Sequence, residues 1–151
     1  MKTWLKVLIV TVVVAIPAFL AEPNSPLGVF WRPPAGGPEP QGAQVPLFIV
    51  LGVLDAVMLG LGVSFLIFGY PLIRAIGSAS RGLTLATYLS LSWVLLQWWP
   101  HDSLHISLGE DLDLGKILAI DYIFHVTIMI ASLIGVAFFV TIMRQARTAT
   151  N

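Results

Sequence analysis

The chain has 151 residues, 57% of them hydrophobic and 11% charged, with a mean hydropathy of +0.88. Soluble domains carry about a quarter charged residues, so this composition indicates an all-α integral membrane protein. Eight basic and eight acidic residues cancel, and the absence of cysteine excludes disulfides, thiolate metal sites, iron–sulfur ligation and cysteine nucleophiles.

In chain order, a first span is expected over 5–21, behind Lys2 and Lys6, with Pro17 kinking or ending it. A secretory leader begins in the same way. Cleavage after Ala21, however, puts Phe19 where signal peptidase wants a small residue, so a retained helix is expected. Residues 22–44 are rich in Pro, Gly and polar groups, including Pro33-Pro34 and Gly36-Gly37-Pro38, and irregular backbone of this kind cannot sit in hydrocarbon. They read as an outer loop.

The second span is expected over 45–73. Gly52, Ala56, Gly60 and Ser64 recur at every fourth position and form a small-residue stripe on which another helix, of this chain or of a partner subunit, can pack closely. A short turn over 74–82 leads to a third span over 83–99. There Thr84, Thr87, Ser90 and Gln97 share one face that lipid would not accept, and Trp93, Trp98 and Trp99 supply an aromatic belt. A second outer loop over 100–116 carries His101, Asp102, His105, Glu110, Asp111 and Asp113. The fourth span, over 117–143, ends in a polar tail over 144–151.

Orientation follows from the basic residues. Lys2, Lys6, Arg74, Arg81, Arg144 and Arg147 fall on one side and only Arg32 and Lys116 on the other, so both termini are expected inside. The expected architecture is therefore a single four-transmembrane-helix bundle, N-in/C-in, in a bacterial or archaeal plasma membrane. Its histidine-bearing loop is extracytoplasmic.

Ionisable groups inside a span cost about 2.5–3.5 kcal/mol each and usually face a partner or cavity. Three occur: Asp55, Asp121 and His125. On a regular helix Asp121, His125, Ile128, Ser132 and Gly135 form one inward stripe, with Asp121 stacked on His125. Counting 1.5 Å per residue puts Asp55, Ser90 and His125 at similar depth, roughly 14 Å down, with Gln97 above Asp121 and with His101 and His105 at the mouth.

Three readings of this pocket stay open. His101 and His105, spaced i, i+4, can join Asp121 and His125 around one transition metal ion such as copper, zinc or iron. The same groups can instead only fix helix packing in a structural subunit that docks partner helices through its small-residue stripe. A third use is with protons or a quinone headgroup. No nucleophile–base arrangement, phosphate loop or H-E-x-x-H run is present, so the chain is not expected to be an enzyme on its own. Its scattered cations argue against nucleic acid, and its expected partners are the bilayer and other membrane subunits.

The five residues Asp121-x-x-x-His125 resemble part of the copper site in the membrane subunit of particulate methane and ammonia monooxygenases, where a further histidine along the chain joins the pair. The residue thirteen beyond His125 here is Phe138. The resemblance adds weight to copper as the metal and none to a monooxygenase assignment.

Overall fold

A long apolar run can satisfy its backbone groups in lipid only as a helix, and the computed structural model takes that form. It describes residues 2–23, 25, 27–30, 40–77, 79–108 and 113–150, and every extended regular element among them is helical. The helices are α1 (Thr3–Ala21), α2 (Gln44–Phe68), α3 (Tyr70–Ile76), α4 (Arg81–Leu96), α5 (Trp98–Leu108), α6 (Leu114–Asp121) and α7 (Thr127–Thr150). A 3-10 turn spans Gly28–Phe30, and a π-helical turn, Tyr122–Val126, joins α6 to α7.

Three helices are long and apolar enough to cross a membrane: Thr3–Ala21, Gln44–Phe68 and the continuous Leu114–Thr148. Most of their side chains are not buried within the protein, and residues such as Val13, Leu47 and Leu133 face outward. That exposure fits a membrane location, because hydrocarbon accepts what water would not.

The expected third span is shorter than predicted. α4 stops at Leu96, and its 16 residues rise about 24 Å, less than the roughly 30 Å hydrocarbon core. The chain bends at Gln97 and continues as α5, so the first part of the expected outer loop is helical. Pro100 is the third residue of α5, in the first turn, where its missing N–H removes no helical bond. The second span likewise breaks at Gly69 before α3. Trp31, Arg32, the Pro33–Gly37 stretch, Pro38, Glu39, Glu110 and Asp111 lie outside the described residues.

α1 packs antiparallel on α2 through the small-residue stripe. Ser64 donates to the Val7 carbonyl at 3.0 Å and pairs with the Thr11 hydroxyl at 2.9 Å. Ala56 and Gly60 are buried in the same contact. Of the two partners expected for the stripe, a helix of this chain or of another subunit, α1 of this chain takes the place.

α2 packs on α4, where the Tyr88 hydroxyl bonds to the Leu66 carbonyl and its ring meets Phe65 and Tyr70. α4 packs on α7, where Trp93 donates to the Thr127 hydroxyl at 2.8 Å and stacks on Phe124. Each long helix thus rests mainly on its sequence neighbour, in the series α1, α2, α4, α7. A closed four-helix bundle needs α7 to return to α1, and no substantial interface between them is formed.

Asp113 caps α6, accepting from the Gly115 and Lys116 amides at 2.8 and 3.4 Å. Asp113→Ala is expected to cost about 1 kcal/mol, seen as faster hydrogen exchange at those two amides. Unchanged exchange there would show that the cap contributes nothing.

Candidate functional site

One end of the molecule gathers side chains from α1, α2, α5 and the π turn. The chain leaves α1 in a tight turn in which Leu27 N bonds to Leu20 O and Ser25 N to Glu22 O, both at 2.9 Å. Gly28 closes the turn so tightly that a Cβ there would lie 2.2 Å from the Glu22 carbonyl oxygen. The turn holds the Glu22 side chain against α2 beside Gly52, and Glu22 is buried.

Asp55, on α2, is also buried, and its carboxyl neighbours that of Asp102 of α5. Glu22 senses the charge of both. Burial, then Asp55 and then Asp102, push the Glu22 carboxyl up from 4.5 to about 8.

Asp102 links this acid group to the histidines. His101 Nδ1 lies 3.2 Å from Asp102 Oδ1, and His101 Nε2 lies 3.1 Å from His105 Nε2, as i, i+4 spacing on α5 allows. His125 Nδ1 lies 3.0 Å from Asp121 Oδ1. The His101 ring stands edge-on to both others, with centroids 4.6 Å from His105 and 4.9 Å from His125. Burial lowers the His101 pKa, and His105 and His125 lower it further against the opposing pull of Asp102.

The π turn sets this arrangement. Phe124 is buried there, with its ring stacked on Trp93 and 5.2 Å from His101, so the next residue, His125, comes level with α5. π turns of this kind recur at functional positions.

Two expectations change. The buried face of the last helix is Ile120, Phe124, Ala131 and Phe138, one position before the predicted stripe. Large apolar rings win the helix contact, and His125 and Asp121 are left 55% and 41% exposed on its flank. Second, Asp55 meets Asp102 and Glu22 instead of His125.

Ser90 and Gln97 are buried with Thr84 and Thr87, but no hydrogen bond ties either to Asp55 or His125. The two threonine hydroxyls bond to backbone carbonyls one turn back, at Ser80 O and Leu83 O, so their polarity is satisfied locally. Among the described residues, no three His, Asp or Glu side chains are arranged to hold a metal ion together. Sequence reasoning missed Glu22 as a site residue. The signal was present in the antiparallel register of the stripe, which carries Glu22 to the level of Gly52. No family model matches the chain, and neither a curated protein nor a solved structure is significantly similar to it.

Proposed function

We propose that the chain is a small membrane subunit or accessory protein whose histidine-bearing end is extracytoplasmic and takes up one transition metal ion of the copper, zinc or iron class. The observation that supports this reading is the orientation of the imidazoles. His101 and His125 each turn Nδ1 to a carboxylate, so that Nε2 points away from it as a ligand atom would, the usual way a carboxylate orients a metal-binding histidine, and in His101 that Nε2 meets His105. The His101 and His105 Nε2 atoms are 3.1 Å apart, close to the roughly 3.3 Å separation of two nitrogen ligands on one tetrahedral ion. These two form the standing pair. His125, exposed and beside His101, joins by rotation of its side chain, with Asp121 behind it as positioning residue.

The test is metal content of the full chain, purified in mild detergent and incubated with copper, zinc or ferrous iron. One ion per chain is expected, lost in His105→Ala and His125→Ala and weakened about 10–100-fold in Asp121→Asn. No bound ion in the wild type after loading sinks the proposal. Because the chain has no cysteine, Leu104→Cys gives a unique label site for sidedness. Labelling by an impermeant maleimide in intact cells is expected, and protection there with labelling only after lysis overturns the outward placement.

A further inference from the structure

We propose that the cavity between the paired ends of α1 and α2 binds a small lipophilic ammonium ion, with its hydrocarbon body against Phe19, Phe48 and Ile49 and its cationic head between the Glu22 and Asp55 carboxyls. The cavity is about 300 Å³, and its wall is largely apolar apart from these two acids. That volume is at the small end for ligand sites. Phe48 and Ile49 are exposed on the helix surface, so the mouth opens where an amphiphile can enter from the side.

The ligand's charge follows from what the acids lack. Glu22 is 7% exposed, and its Oε1 is buried with no hydrogen-bond partner. Leaving such an atom unpaired is destabilising, because its lost hydration is not replaced. Among the described residues, no lysine or arginine forms an ion pair with Glu22, Asp55 or Asp102, whereas Lys116 pairs with Asp113. An ammonium head supplies both the missing donor and the missing positive charge. The groups facing Glu22 are the acids Asp55 from α2 and Asp102 from α5, with His101 behind Asp102. Since Glu22 holds its proton to about pH 8, the cation must displace that proton, and affinity rises with pH below that value. The site uses none of the imidazoles, so it stands or falls apart from metal binding.

The experiment is calorimetric titration of n-hexylammonium chloride into the full chain in lipid nanodiscs, with empty nanodiscs subtracted and 1-hexanol as the neutral counterpart. Saturable binding at one site per chain is expected for the amine and not for the alcohol. It should weaken at least tenfold in Glu22→Gln and tighten about tenfold from pH 6 to pH 7. Gly52→Ala narrows the cavity without forcing the helices apart, because its one added carbon meets Glu22 Cγ at 3.5 Å and Phe19 Cε2 at 3.7 Å, ordinary contact distances. It should also weaken binding, and it carries the test if Glu22→Gln does not fold. His105→Ala should leave binding unchanged. Absent saturable binding, equal binding of 1-hexanol, or unchanged affinity in both cavity variants overturns the proposal.

Discussion

Gly60→Leu is expected to unseat α1 from α2 and to lower stability by about 3 kcal/mol, the upper part of the usual range for overpacking. Even a single added carbon at Gly60 would lie 2.3 Å from the Thr11 carbonyl oxygen. That oxygen belongs to helical backbone and cannot rotate away. The only relief is separation of the two helices, which also breaks the Ser64 bonds to Val7 and Thr11. Thermal unfolding in detergent, followed by circular dichroism, reads the effect. Gly82→Ala is the control, since nothing lies near its added carbon, and it should stabilise α4 by roughly 0.5–1 kcal/mol. Equal melting of Gly60→Leu and wild type would remove this contact from the account of the fold. Because Glu22 follows α1 directly, the same variant should also disturb the acid group at its far end.

A second large effect is expected from pH. In the folded chain Glu22 titrates at about 8 against an ordinary 4.5, so folding favours its protonated form. The stabilisation is complete below pH 4.5, is lost as pH rises to about 8, and stays lost above that. The loss across this window is about 2–4 kcal/mol. Glu22→Gln keeps the shape and cannot ionise, so its melting temperature should be flatter over the same window and should exceed the wild type at pH 9. Parallel profiles for the two proteins would show that Glu22 is solvated and ordinary.

Several features were readable from residue order. The apolar runs, the small-residue spacing and the polar face of α4 all follow from local periodicity, which a helix converts directly into faces. The pairing of Asp121 with His125 and of His101 with His105 follows in the same way, because i, i+4 neighbours touch on any helix. What failed was geometry beyond one element. The bend at Gln97 and the π turn at Tyr122–Val126 carry no turn-forming residue, and each alters which faces meet. Glu22 looked like a solvated loop acid because only the register of α1 on α2 buries it.

By itself, the sequence determined that this is a helical chain with spans apolar enough for a membrane, that any metal must be held without thiolate, and which side chains neighbour each other along a helix. These depend on composition and on a fixed helical period. Tertiary structure alone decided that the stripe serves α1, that Asp55 faces Glu22 and Asp102, and that the three histidines meet beside Phe124. Those outcomes depend on how large rings and close-packed glycines set helix against helix, a competition among residues far apart in the chain that no local pattern records.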